Sequence, residues 1–133
     1  MLTANVSGDK SGAVNALRPG VKLWISGESR ILGPGAVKLL AFVEKTGSLK
    51  QACFEMSVSY SKARKMVSEI ERQLDCDIVH KRQGGKYGGS TILTENGKDL
   101  VERYEAFLDE CTALVNESFD KHFDGFLSRQ KMT

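Results

Sequence analysis

The sequence lacks the features that mark secreted, membrane-spanning and zinc-binding proteins. Its three cysteines, Cys53, Cys76 and Cys111, are far apart and odd in number, which favours reduced thiols over a disulfide framework or a zinc site. No run of about 18 apolar residues is present, so no membrane-spanning helix is expected. The first residues also lack the basic and apolar regions of a signal peptide. We therefore expect a cytoplasmic protein with no membrane partner.

Residues that could form an active site or bind a cofactor are also scarce. The two histidines, His80 and His122, have no Ser, Cys or carboxylate at a spacing that would build a nucleophile, its base and an orienting group. The glycine-rich stretch at 84–90 matches neither the GxxxxGK(S/T) nor the GxGxxG phosphate-binding pattern, and a predicted strand rather than a helix follows it. We predict no enzymatic activity, no cofactor and no bound metal.

The excess of positive charge is small, at +2 for 133 residues, but the charges are unevenly distributed. Residues 60–87 contain seven Lys or Arg and four Asp or Glu, a net charge of +3, whereas residues 94–124 contain three and nine, a net charge of −6. The first segment can neutralise phosphates, and the second would be repelled by them. Ordinary solvent-exposed faces could carry the same charges. The order of the predicted elements therefore has to decide between a phosphate-binding surface and such faces.

The pattern of apolar residues predicts two helices in the first half of the chain. Apolar residues from Ala36 to Val43 recur at helical spacing, and Gly47 is expected to end that helix. Ser48 and Gln51 form a capping box, in which each side chain reaches the backbone amide of the other, at the start of a short helix that ends near Met56. Before the first helix we expect residues 1–20 to be a flexible tail and 21–25 and 30–32 to be short strands.

A third helix follows a tight turn and separates an apolar face from a polar one. Val58 is the apolar residue of the turn, Ser59 is a candidate N-cap, and the helix is predicted from Tyr60 to about Leu74. Its predicted core residues are Ala63, Met66, Val67, Ile70 and Leu74. Its opposite face carries short polar and cationic side chains, Ser61, Lys65, Ser68 and Arg72, flanked by Lys62 and Arg64. This order predicts a helix-turn-helix whose third helix reaches base edges and phosphates, although an exposed face with routine lysines would look similar.

The next segment predicts a basic hairpin, the wing of a winged helix-turn-helix. Residues 78–82 and 90–93 are predicted strands joined by the glycine-rich turn, where glycine allows positive φ and a close approach to DNA. Lys81, Arg82 and Lys86 are expected to contact phosphates. Tyr87 can stack on a sugar or donate to a phosphate, or it can pack back on its strand.

A long helix is predicted from Glu95 to about Phe123, because this stretch has no proline and its one glycine, Gly97, lies at the start. Its apolar arc is wider than one packing seam needs, which favours self-association over a chain end folded back on its own domain. If two such helices pair antiparallel, Cys111 could approach its symmetry mate as a redox switch. The predicted dimer-interface residues are Tyr104, Leu108, Cys111, Val115 and Phe119.

Three stretches resemble the DNA-binding half of the ModE family of molybdate-dependent regulators: EKTGSL at 44–49, SVSYSKA at 57–63 and KRQGGKYGGSTILTENG at 81–97. LysR-type regulators share a similar helix-turn-helix and the LT…G helix start, but not the glycine-rich tip. The resemblance implies a recognition helix at 59–72, a wing tip at 84–89 and a homodimer on a palindromic operator near molybdate-transport or molybdoenzyme genes. Tyr87 stands where the family usually has glycine.

The resemblance also implies that molybdate is sensed by a separate C-terminal β-rich domain, so we do not expect molybdate to bind this chain directly. The fold we predict is mainly α with a small β wing, a winged helix-turn-helix at 21–94, a long C-terminal dimerisation helix at 95–123 and a tail at 124–133. The alternative is a protein-interaction winged-helix module without sequence-specific DNA binding. The residues predicted to contact double-stranded DNA are Lys50, Gln51, Ser59, Tyr60, Ser61, Lys62, Arg64, Lys65, Ser68, Lys81, Arg82, Lys86 and Tyr87.

Overall fold

The computed structural model describes residues 17–82 and 89–131, with side chains described as far as residue 126. The elements in these residues, in chain order, are β1 (Ile25–Ser26), β2 (Arg30–Leu32), α1 (Pro34–Thr46), α2 (Leu49–Met56), α3 (Tyr60–Leu74), β3 (Val79–Arg82), β4 (Ser90–Leu93) and α4 (Glu95–Lys131). Strand β1 pairs with β2 and β3 with β4, both antiparallel. The described chain is therefore mostly helical with two small antiparallel sheets, which is compatible with the predicted winged helix.

The chain divides into two units, and the division falls inside α4. One unit is Leu23–Tyr104, which contains β1 to β4, α1 to α3 and the first turns of α4. The other unit comprises residues 1–22 and 105–133. Among the described residues, no helical stretch combines the length and the apolar character that crossing a bilayer requires.

Helix α1 lies at the centre of the first unit, where it contacts α2, α3, β2 and β4. Its buried side chains cover a wide stripe, so that it can pack on several elements at once. Burial of each large aliphatic side chain contributes about 1.5–3 kcal/mol. The core residues of this unit are Leu32, Ala36, Val37, Leu39, Leu40, Val43, Leu49, Ala52, Cys53, Ala63, Val67, Ile70, Ile78, Leu93, Val101 and Tyr104.

The predicted helix boundaries at the helix-turn-helix are confirmed by their caps. Gly47 ends α1 with a left-handed φ of 72°, and its N–H donates to the Val43 carbonyl. Ser59 Oγ accepts the Lys62 N–H at 3.1 Å at the start of α3. Ser48 Oγ accepts the Gln51 N–H at 3.0 Å at the start of α2. The other half of that capping box was predicted wrongly, because the Ser48 N–H donates to Thr46 Oγ1 at 3.2 Å and the Gln51 side chain donates to Glu55.

Several other boundaries differ from the predicted ones. Only Ile25 of the first predicted strand (21–25) lies in β1, which also includes Ser26, because the partner strand β2 has three residues. Strand β3 begins at Val79 rather than Ile78, because its pairing with β4 starts with Val79 opposite Leu93. Leu74, predicted to be in the core, is 41% exposed, because it lies in the last turn of α3. Helix α4 continues past Phe123 to Lys131, through residues that contain no proline.

The hydroxyl of Tyr104 supplies a testable contribution to stability. Tyr104 is 1% exposed, and its Oη donates to the Leu23 carbonyl at 2.9 Å. Burial raises the pKa of this hydroxyl, so it stays a donor at neutral pH. We expect Tyr104→Phe to lower the free energy of unfolding by about 1–2 kcal/mol, because the carbonyl loses its partner. Urea denaturation followed by circular dichroism measures this.

The matched control is Tyr60→Phe, which removes a hydroxyl from an exposed tyrosine. We expect the control to change the free energy of unfolding by less than about 0.5 kcal/mol. Equal effects of the two substitutions would contradict the assignment of the Tyr104 hydrogen bond to the core.

Candidate nucleic-acid interface

Helix α3 presents one polar and cationic face to solvent. Its apolar residues Ala63, Val67 and Ile70 are buried, and the side chains on the opposite side are exposed. Because Ser59 caps the first turn, the start of the helix that carries these side chains is fixed. The exposed residues of this face that the sequence predicted as DNA contacts are Ser61, Lys62, Arg64, Lys65 and Ser68.

Tyr60 connects the start of α3 with the wing strand β3. Lys81 Nζ donates to Tyr60 Oη at 3.5 Å, although the two residues lie on different elements. The Arg64 guanidinium carbon lies 5.9 Å from the centroid of the Tyr60 ring, on the cation-attracting face of the aromatic system. The two elements predicted to touch DNA, the helix and the wing, are therefore adjacent at this point.

The wing strands pair in a defined register, with Val79 opposite Leu93 and Arg82 opposite Ser90. Strand β4 is tied to the end of α1 by the Thr91 N–H, which donates to the Gly47 carbonyl at 2.9 Å. Lys81 and Arg82 are exposed on β3. The wing tip, with the predicted contacts Lys86 and Tyr87, lies outside the described residues.

Helix α2 adds a second exposed surface. Lys50 and Gln51, both predicted DNA contacts, are exposed in its first turn, and Gln51 Nε2 donates to Glu55 Oε2 at 3.2 Å. Phe54 is 77% exposed, and the sequence analysis did not single it out. The signal was present in the sequence, since Phe54 lies off the helical stripe formed by Leu49, Ala52 and Cys53.

The cations of α3 differ in whether an acidic partner compensates them. Arg72 forms ion pairs with Glu69 and with Glu28, the latter at 3.4 Å. The hydrogen bond from Arg72, with a second from Gln73, holds the pKa of Glu69 at about 2, so this carboxylate stays charged near neutral pH. Within the described part of the chain, Lys62 and Lys65 form no ion pair, so their charge is available to phosphates.

Groups with metal-binding or redox potential are few in the described residues. No cluster of His, Cys, Asp and Glu there could hold a metal ion. The thiols of Cys53, Cys76 and Cys111 are free, and burial raises the pKa of the Cys53 thiol. Cys111 is half-buried on α4.

The five predicted dimer-interface residues on α4 differ in exposure. Tyr104 and Leu108 are 1% exposed, so both are already covered within the single chain. Cys111, Val115 and Phe119 are half-buried.

An aromatic cluster lies further along α4. The Phe119 and Phe123 rings stack with centroids 4.8 Å apart, and Phe126 packs edge-on against Phe123. Leu114 is 56% exposed and Phe123 41%. A cleft of about 280 Å³ is lined by Pro19, Val115, Ser118, Phe119, His122 and Phe123.

The order of helix, capped short helix, tight turn, exposed basic helix and antiparallel hairpin is compatible with a winged helix-turn-helix. No family model matches the chain. It is 34% identical over 90 residues to the molybdenum-pterin-binding protein MopB of Rhodobacter capsulatus, an alignment that covers 68% of this chain and 33% of MopB. It is 29% identical over 72 residues to the DNA-binding transcriptional dual regulator ModE of Escherichia coli K12, covering 54% of this chain and 28% of that protein.

The molybdenum transport protein ModE of Azotobacter vinelandii is 28% identical over 88 residues, covering 61% of this chain and 33% of that protein. These comparisons confirm the resemblance to the ModE regulators, and they are consistent with a ModE-like amino-terminal segment. The chain spans about a third of the length of the curated relatives it matches. The names of these relatives describe regulators and molybdenum-related binding and transport proteins rather than enzymes, and they do not favour the protein-interaction alternative.

Proposed function

We propose that this chain is a DNA-binding transcription regulator that inserts α3 into the major groove and rests its β3–β4 wing on the neighbouring backbone. The observation that carries the proposal is the contact between Lys81 on the wing strand and Tyr60 at the start of α3. It joins two cationic elements into one surface, and a duplex presents a groove and its flanking phosphates side by side. The names of the ModE relatives support the same function.

Each cationic element has a separate role in this proposal. Ser61, Lys62 and Lys65 lie on the exposed face of α3 near its start and are assigned to base edges, where short polar and cationic side chains can reach donors and acceptors. Arg64 and Lys50 are assigned to phosphates that flank the groove. The wing cations assigned to phosphates are Lys81, Arg82 and Lys86.

We further propose that the protein acts as a homodimer through α4. Exposed apolar side chains on this helix, such as Leu114 and Phe123, favour burial against a second copy. Because Tyr104 and Leu108 are covered within the chain, the proposed contact rests on Cys111, Val115, Phe119 and their exposed neighbours. A two-fold dimer would place two recognition helices on a palindromic operator with half-sites about 10–10.5 base pairs apart.

A charged residue in the proposed dimer contact should dissociate the dimer. We expect the unmodified chain to have a solution mass of twice its 14.6 kDa, and Leu114→Asp to have the mass of one chain, because the carboxylate would be buried unpaired. Light scattering after size exclusion measures both masses. The control Asn116→Asp adds the same charge at an exposed polar position of the same helix and should stay dimeric. A monomeric unmodified chain would contradict the dimer.

The regulated genes, on this proposal, concern molybdate transport or molybdoenzymes, because the relatives' names link them to molybdenum. The test is a selection of binding sites from random duplexes, followed by titration of the enriched sequence with and without molybdate. We expect a palindrome to be enriched and its affinity to be unchanged by molybdate. Failure to enrich any sequence would contradict the proposed function, and an affinity that shifts with molybdate would contradict our expectation that this chain does not bind it.

A further inference from the structure

The short segment that leads from α3 into the wing is held by a side chain of α3 itself. Glu71 Oε2 accepts two backbone hydrogen bonds, from the Ile78 N–H at 2.8 Å and from the Val79 N–H at 3.2 Å. Hydrogen bonds to an ionised carboxylate are about twice as strong as those between neutral groups. Glu71 therefore fixes the root of the wing, residues 77–79, to the recognition helix.

The same root is held on its other side by the start of α4. Thr94 Oγ1 donates to the Asp77 carbonyl at 2.7 Å, and the Thr94 N–H donates to the Ile78 carbonyl at 2.9 Å. These contacts use the carbonyls of the root, whereas Glu71 uses its amides. Among the described side-chain hydrogen bonds, Glu71 is thus the tie between this root and α3, and its loss would leave the root hydrogen-bonded to the start of α4.

The contact between Lys81 and Tyr60 ties the wing to α3 a second time. Tyr60 and Glu71 are separated by roughly 16 Å along α3, at 1.5 Å per residue. One tie therefore lies near each end of the helix, and the Lys81 tie is long, at 3.5 Å, and exposed. The Glu71 tie is shorter, at 2.8 and 3.2 Å, and Glu71 is half-buried.

We propose that Glu71 is a positioning residue that fixes the wing relative to α3, so that Lys81 and Arg82 meet the phosphates of the same duplex that α3 reads. This inference rests on the proposed DNA binding. Glu71 touches no DNA in this account, and it acts through the backbone of residues 78 and 79. Its removal should leave the contacts of α3 intact while the wing cations lose their phosphates together.

The experiment measures the slope of log affinity against log salt concentration for variants of the full chain. We expect Glu71→Ala to reduce the magnitude of that slope by about two to three units per bound chain, because Lys81 and Arg82, with Lys86 on the same wing, each lose a phosphate contact that contributes roughly 0.9. Glu71→Gln should keep most of the slope, since its carbonyl oxygen can still accept from both amides. Glu71→Asp keeps the charge but is too short to reach the amides, so it should behave like Glu71→Ala and carries the test if the alanine variant does not fold.

The matched control is Glu69→Ala, which removes the same charge from the same helix. Glu69 accepts from Arg72 and Gln73, which face the turn between β1 and β2, and not from the wing. A merely structural loss would lower thermal stability in both variants, but only Glu71→Ala should change the slope. Hydrogen exchange of the Ile78 and Val79 amides, measured without DNA, should be faster in Glu71→Ala than in Glu69→Ala.

The outcomes separate this inference from the function on which it rests. If the unmodified chain binds DNA with a steep slope that Glu71→Ala leaves unchanged, the positioning role is overturned and the proposed function stands. Equal slope changes in Glu71→Ala and Glu69→Ala would also overturn it, because charge alone would then explain the effect. If the unmodified chain shows no salt-dependent binding, the proposed function fails and this role fails with it.

Discussion

Replacing both Lys62 and Lys65 by alanine is expected to weaken binding to the preferred duplex about 100-fold. The two side chains are exposed on α3 and form no ion pair among the described residues, so their charge is available to the duplex. Loss of one base contact typically costs about 1–3 kcal/mol, and 1.4 kcal/mol corresponds to a factor of ten. Fluorescence anisotropy titrations of the preferred sequence and of an unrelated duplex, at one salt concentration, measure the loss.

The two duplexes distinguish base contacts from general attraction. If Lys62 and Lys65 read bases, affinity for the preferred sequence should fall more than affinity for the unrelated duplex. The control Lys38→Ala with Lys98→Ala removes the same charge from α1 and α4, where we assign no DNA contact. The affinity of this control variant for the preferred sequence should fall less than tenfold. Equal losses in the two double variants would remove α3 from the proposed interface.

Gly97→Ala is expected to cause the largest loss of stability, about 3 kcal/mol in the free energy of unfolding. A Cβ at this position would overlap the Ile78 carbonyl oxygen, and that oxygen belongs to backbone that cannot rotate away. The Gly97 N–H also donates to Thr94 Oγ1 at 3.0 Å, so a shift of the helix start would weaken its cap. Thermal and urea denaturation measure the loss.

The matched control for Gly97→Ala is Gly35→Ala. Gly35 is also helical, in the first turn of α1, and a Cβ there would meet no atom within 4 Å. Alanine restricts the unfolded chain more than glycine, so this control should be neutral or stabilising by about 0.4–1 kcal/mol. Equal effects of the two substitutions would contradict the close approach of α4 to the backbone of residue 78.

The local rules of helix capping predicted much of the fold around the candidate interface. Ser59 and Gly47 could be placed because an N-cap side chain and a left-handed glycine act within one turn of their own position. The exposed face of α3 could also be predicted, because the apolar residues of this helix recur at helical spacing on the opposite face. Both strands of the wing were predicted, although β3 starts one residue later than expected, at Val79.

The contacts that depend on distant residues could not be predicted from the sequence. Glu71 is one of several acidic residues near the end of α3, and nothing local distinguishes it from Glu69. The two carboxylates differ only because the chain returns past Glu71 at residues 77–79. Glu71 then accepts from backbone amides of that segment, whereas Glu69 accepts from side chains of its own helix. Gln51 likewise had two acceptable partners within its own helix, the capping position and Glu55, and the sequence does not decide between them.

Burial within the chain also changed the assessment of α4. The apolar arc of this helix was predicted, but periodicity does not tell which part of an arc is already covered. Tyr104 and Leu108 are covered in the single chain, whereas Leu114 and the aromatic side chains further along remain exposed. The dimer proposal accordingly rests on these later residues.

The most direct test of the account is the salt dependence of binding by the unmodified chain to mixed-sequence duplex DNA. Affinity measured by anisotropy between 50 and 200 mM salt gives the slope, which counts the phosphates neutralised at roughly 0.9 per contact. With five phosphate contacts assigned per chain, we expect a slope of about −4 to −5 for one bound chain and about twice that for a dimer. A slope near zero, or no binding at either salt concentration, would contradict the assignment of α3 and the wing to DNA.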